Sequence, residues 1–146
     1  MKIRQFPSFF ILFYLVLGLS ASAQSENAIV GVWLDTDKTA KIEIYRSDKE
    51  FEGKIIWMQN PNTNGSPTLD AKNPEHKLKT RPIVGLTILD GLQYKDGVWK
   101  EGDIYDPKSG KTYSCELKLQ TNDVLEVKGY IGFSFVGKTV KWTRVR

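Results

Sequence analysis

Tyr113-Ser114-Cys115-Glu116-Leu117-Lys118-Leu119-Gln120, then Thr121-Asn122-Asp123, then Val124-Leu125-Glu126-Val127-Lys128-Gly129-Tyr130-Ile131 decides the fold. Tyr113, Cys115, Leu117 and Leu119 share one side of an extended chain, and Ser114, Glu116, Lys118 and Gln120 share the other. Leu125, Val127, Gly129 and Ile131 repeat the pattern after a turn-forming Thr-Asn-Asp triplet. Two half-polar strands joined so tightly form an antiparallel hairpin with one wet face.

The same period extends outward in both directions. Ala40, Ile42 and Ile44 oppose Lys41 and Glu43; Val140, Trp142 and Arg144 oppose Lys141, Thr143 and Val145. Turn chemistry separates the runs at Asp35-Thr36-Asp37, Ser47-Asp48-Lys49, Lys95-Asp96-Gly97 and Asp106-Pro107-Lys108-Ser109-Gly110. Strands are predicted at 30–34, 39–46, 51–58, 83–89, 92–95, 98–105, 111–120, 124–131 and 138–145. Eight or nine strands in up-and-down order leave two edges, and closure into a barrel removes both. The predicted class is therefore all-β, an antiparallel up-and-down barrel. Residues 59–82 interrupt the rhythm with Pro61, Pro67, Pro74 and Pro82. They read as a long loop with a helical turn near 73–77, either a lid or binding loop over the barrel or a tolerated insertion.

The N-terminus reads as an address. Lys2 and Arg4 precede an apolar run over 9–19, and Ser20-Ala21-Ser22-Ala23 carries small residues where a signal peptidase cuts. The expectation is a signal peptide over 1–23, cleavage between Ala23 and Gln24, and a single domain over 24–146 in the periplasm or outside the cell. The run is too short for a comfortable span of about 20 residues, so no stable transmembrane segment should remain. No cysteine stands at the cleavage site to make a lipoprotein. Of 146 residues, loss of 23 leaves 123; of 21 basic residues, loss of Lys2 and Arg4 leaves 19 against 17 acidic ones. These charges are interspersed along the chain, with no stripe for nucleic acid and no polybasic membrane patch. One cysteine cannot make an internal disulfide, and one histidine cannot build a multi-histidine metal site.

Gly31-Val32-Trp33 opens the first strand and Trp142-Thr143-Arg144 closes the last. Closure makes these strands neighbours. Arg144 laid over an indole would then form a cation–π latch, with Gly31, Trp33, Trp142 and Arg144 as its members. The pair of motifs resembles lipocalin-like barrels, whose last strand carries an arginine packed on the tryptophan of a first-strand G-x-W. The wider chain resembles a bacterial secreted family known as domain of unknown function 2147. That resemblance is carried by Gly31-Val32-Trp33, residues 40–45, Gly53-Lys54-Ile55-Ile56-Trp57, Arg81-Pro82-Ile83-Val84-Gly85-Leu86 and Gly102-Asp103-Ile104-Tyr105-Asp106-Pro107. It continues through Gly110-Lys111-Thr112-Tyr113, residues 125–129 and Trp142-Thr143-Arg144. Lys128 stands where arginine is the more frequent choice. The resemblance implies a secreted lipocalin-like barrel and no established activity, so it assigns no catalytic residue.

Gly132 to Thr139 satisfies G-x-x-x-x-G-K-[ST], yet the residues that follow alternate as a strand. A phosphate-binding loop needs a helix there, so no nucleotide is expected, and Gly137-Lys138 reads as a hairpin turn. His76 reads as a solvated loop residue and Cys115 as a small buried hydrophobe. Asp106 before Pro107 reads as a turn-capping carboxylate. No metal or cofactor is expected.

Three functions follow. An eight-stranded barrel can hold one small ligand. Tyr45, Trp57, Trp99 and Tyr105 are the candidate ligand-binding residues, and an apolar or amphipathic envelope molecule is the expected partner. A filled barrel would instead be a structural or protein-interaction module. A hydrolase would need Asp103 and Asp106 to converge in a cleft. A cavity of about 300 Å³ or more separates the first reading from the second.

Overall fold

The computed structural model of the protein describes residues 24–133 and 136–146. The signal-peptide expectation lies outside the described residues. Ten strands follow in chain order: β1 Gly31–Leu34, β2 Ala40–Ser47, β3 Glu50–Met58, β4 Asn62–Thr63, β5 Ser66–Pro67, β6 Thr87–Lys95, β7 Val98–Asp106, β8 Lys111–Thr121, β9 Val124–Tyr130 and β10 Gly137–Arg144. Eight of them close into an antiparallel barrel in the order β1-β10-β9-β8-β7-β6-β3-β2, and β4 pairs with β5 as a separate two-stranded hairpin. Closure is made where Trp33 pairs with Arg144 and Leu34 with Thr143. The alternating residues fall as their period demands. Ile42, Ile44, Cys115, Leu117, Leu125 and Val127 point inward, with Trp33, Trp99, Leu89 and Leu92. Among the described residues no helix is long and apolar enough to cross a membrane.

Several boundaries differ from the sequence reading, and the strand expected over 83–89 begins only at Thr87. Asp90-Gly91 was expected to separate two strands, but β6 runs through it. Gly91 takes φ +69°, and the register with β3 gains one residue of β6 between Leu89 and Leu92. Opposite it, Glu101 takes φ +66° at a matching irregularity against β8. These are bulges, and they bend the strands toward closure. Gly137 and Lys138 lie in β10, paired with Tyr130 and Gly129, so the turn falls earlier. The helical turn expected near 73–77 is a short 3-10 turn at His76–Leu78, in which His76 is exposed.

The two ends of the barrel are unlike. At one end the 3-10 turn Glu26–Ile29 lies across the opening as a plug. Four side chains from different strands hold carbonyls of this turn and of Gln24 just before it. Trp33 Nε1 donates to Ile29 O at 2.8 Å and Trp99 Nε1 to Glu26 O at 2.9 Å. Tyr94 OH donates to Gln24 O at 2.6 Å and Arg144 NH2 to Ala28 O at 2.6 Å. A short turn without its own sheet partners would leave these carbonyls unsatisfied, and the barrel supplies the donors. The opposite end is open.

Cys115 lies on the inward face of β8 and is fully buried. Burial pushes its thiol up to about 12, and the carboxylates of Asp103 and Glu116 add to the effect. The thiolate is the reactive species, so iodoacetamide at pH 8 should label native protein only at the rate of opening, and denatured protein at once. Rapid native labelling would contradict this. The raised value also sets a sign. The stabilisation is complete below the unfolded thiol's pKa and is lost as pH rises toward 12.

Candidate functional site

The open end is formed by the ends of β1, β3, β7 and β9 and the starts of β2, β6, β8 and β10. A cavity of about 660 Å³ sinks from it into the barrel. Its walls are Ile42, Ile55, Met58, Ile83, Ile88, Ile104, Val127, Val140 and Trp142, with Tyr105, Tyr113 and Tyr130 among them. Gly129 leaves part of the wall bare: a Cβ there would meet Tyr113 Cβ at 3.6 Å and Ile104 Cγ2 at 3.7 Å, ordinary contacts. The void exists because side chains at this end of the strands are aliphatic or held back against the wall. At the plugged end, Trp33, Trp99 and Phe51 fill the same cross-section.

Polar groups are confined to the rim. Asp35 accepts from the backbone N–H of Thr39 at 2.6 Å and of Ala40 at 2.9 Å, which shapes the β1–β2 turn. Lys108 Nζ lies 3.5 Å from Asp37 Oδ2. The β7–β8 and β1–β2 turns are half the barrel's circumference apart in strand order, so this exposed pair reaches across the mouth. It adds little stability. Asp106 caps its turn, accepting from Lys108 N at 3.0 Å and Ser109 Oγ at 2.6 Å. Asp103 pairs with Asp90 across β7 and β6 and is exposed. Neither carboxylate therefore presents itself to the other in a cleft.

The 59–82 segment is anchored beside the mouth by one buried carboxylate. Asp70 is completely buried. It accepts from Tyr105 OH, from Asn73 Nδ2 at 2.8 Å and from Arg81 Nε at 3.0 Å, with Arg81 NH2 also at 3.0 Å. Its own backbone N–H donates to Arg81 O at 2.9 Å, and Leu69 bridges to Pro82. Tyr105 thus carries the anchor on its hydroxyl and also borders the cavity. Burial raises its phenol pKa, and the hydrogen bond to Asp70 raises it further. The absence of apolar periodicity in 59–82 hid this anchor, because polar side chains hold the segment.

Of the four aromatic residues expected to bind ligand, only Tyr105 lines the cavity. Trp99 faces inward at the plugged end, tilted against Tyr94 with ring centroids 4.9 Å apart, and is spent on the Glu26 carbonyl. Tyr45 and Trp57 lie on the outer surface. Tyr45 OH donates to Glu52 Oε2 at 2.7 Å, which raises its pKa, and Lys41 Nζ sits 5.2 Å from the Trp57 ring. The physical reason is parity and height. Tyr45 is one position out of step with Ile44, and Trp99 is at the wrong end of β7. The latch residues are brought together in part. The Arg144 guanidinium stacks 4.2 Å from the Trp33 ring, and NH1 donates to Val30 O at 3.0 Å beside Gly31. Trp142 stands apart from them as cavity wall. Sequence reasoning missed the apolar wall residues as ligand contacts, since Ile104 and Val127 look like any other core positions.

The solved structure described as protein HP1028 from the human pathogen Helicobacter pylori, belonging to the lipocalin family, has the same fold. Its TM-score is 0.67 at 23% identity, over 80% of this chain and 82% of that one. No curated protein matches the chain. Residues 31–144 match the family described as uncharacterized protein conserved in bacteria (DUF2147). This span runs from the Gly31 that opens the barrel to the Arg144 that shuts it, and the chain belongs to that family.

Proposed function

We propose that this protein is an exported carrier that binds one small apolar or amphipathic molecule of the cell envelope inside its barrel. The single observation that carries the reading is the open-ended cavity of about 660 Å³ with an apolar wall. That is twice what separates a filled barrel from a ligand-binding one, and within the range of small-molecule sites. An apolar wall facing bulk water is costly, and an apolar occupant relieves it at about 25 cal/mol per Å² removed from water. Export is supported by the basic, apolar and small-residue succession over 1–23.

The test is uptake of a fluorescent polyene fatty acid. The wild-type protein should bind it with one-to-one stoichiometry. Gly129→Phe should drive a ring into the cavity and weaken uptake at least about tenfold, equivalent to 1.4 kcal/mol. Its denaturation midpoint should stay close to wild type, because the added side chain enters a void and not packed core. Trp57→Ala should leave uptake unchanged. Equal uptake by wild type and Gly129→Phe would place the probe elsewhere.

A further inference from the structure

The hairpin tip between β9 and β10 carries the three most exposed large hydrophobic side chains of the described residues. Ile131 is 74% exposed, Phe133 70% and Val136 58%. Val136 N donates to Phe133 O at 3.0 Å, which holds these two residues near one another. Ile131 and Val136 also line the cavity, so apolar surface extends from the cavity wall to its lip. A cluster of this kind at the edge of a pocket marks a contact surface.

Charges interspersed along the chain are sorted by the topology. The connections at the open end, 35–39, 59–86 and 107–110, hold six basic and four acidic residues, while those at the plugged end, 24–30, 48–49, 96–97, 122–123 and 145–146, hold two and four. Asp35 is spent on backbone amides and Asp106, at the end of β7, on its own turn, while Asp70 with Arg81 and Asp37 with Lys108 cancel in pairs. Lys138 and Lys111 add two exposed cations at the starts of β10 and β8, next to the tip. An apolar wedge bordered by lysines matches the layering of an anionic bilayer, whose acyl region lies beneath negatively charged headgroups.

We propose that the open end docks on an anionic lipid membrane, with Ile131, Phe133 and Val136 entering the interface and Lys138 and Lys111 meeting headgroups. Docking in this pose sets the cavity mouth against the acyl layer, so an apolar molecule crosses between bilayer and barrel without entering water. The docking stands on the exposed tip and the lysines beside it; its use in transfer rests on the carrier reading.

The experiment is flotation of the protein, purified after expression of the full chain in a bacterium, with phosphatidylglycerol-containing and with pure phosphatidylcholine vesicles. The wild-type protein should float with the anionic vesicles and far less with the neutral ones. Phe133→Ser should weaken association about tenfold, and Lys138→Gln about fivefold. Phe133→Trp should gain emission that brominated lipids quench. Phe133 does not line the cavity, so Phe133→Ser should retain the fatty-acid uptake of wild type; lost uptake in wild type would sink the carrier reading and leave the docking result standing. Absent flotation, or flotation that Phe133→Ser leaves intact, overturns the proposal. A concentration-dependent dimer that Phe133→Ser dissolves, without vesicle association, assigns the tip to self-association and overturns it equally.

Discussion

Arg144→Ala lowers the stability of the barrel by about 3 kcal/mol in urea denaturation, the size expected from several charge-assisted hydrogen bonds lost from one side chain. Arg144 ties its own strand to two other pieces of chain, residues 28–33 and Asn122. Nε donates to Asn122 O at 2.7 Å, NH1 to Val30 O at 3.0 Å and NH2 to Ala28 O at 2.6 Å, while the guanidinium plane covers the Trp33 indole at 4.2 Å. A stacking contact by itself is worth about 0.5–2 kcal/mol. The carbonyl contacts raise the cost, because truncation leaves the plug's carbonyls without donors. Partial burial lowers the guanidinium's pKa, yet the group stays charged throughout the ordinary pH range. Arg144→Lys should recover less than half of the loss, since an ammonium can neither cover an indole nor reach three carbonyls. A loss below about 0.5 kcal/mol in Arg144→Ala would contradict the assignment of Arg144 as the residue that closes the barrel and seats its plug.

Asp70→Ala is expected to cost a comparable amount, about 3 kcal/mol. The substitution leaves Tyr105 OH without its acceptor and Asn73 Nδ2 with only its 3.2 Å contact to Tyr105 OH. Arg81 keeps 38% exposure of its side chain and can turn to water, which holds the cost below that of a fully enclosed ion pair. The location of the damage separates this change from Arg144→Ala. Limited proteolysis should cut Asp70→Ala within 59–82 under conditions in which wild type and Arg144→Ala stay intact there. Tyr105→Phe should show a smaller loss, about 1 kcal/mol, by removing one donor. If 59–82 is cut equally in wild type and Asp70→Ala, the segment is not held by this carboxylate.

Strand existence and closure were legible because inward and outward residues alternate wherever one face is wet. Leu117 and Lys118, or Val127 and Lys128, announce their sides unaided. Height along the barrel axis has no such signal. Trp99 and Tyr105 lie on the same strand, and nothing in their neighbours tells that one braces the plug and the other borders the cavity. Tyr45 and Trp57 were drawn into the candidate site by amphipathic character alone, whereas the pairing of Tyr45 with Glu52 shows a residue of the outer wall. Asp90-Gly91 imitates a turn; only the register against β3 identifies a bulge. Residues 24–30 and 70–81 escaped for one shared reason. Side chains distant in sequence hold both by hydrogen bonds to backbone or carboxylate, a kind of stabilisation that leaves no periodic mark.

The most direct test of the carrier account is native mass spectrometry of the protein purified from a bacterial periplasm. The account predicts a reproducible additional mass, of one small molecule per chain, that disappears on denaturation and is reduced in Gly129→Phe. A bare polypeptide mass, together with no uptake of the polyene fatty acid, would contradict it.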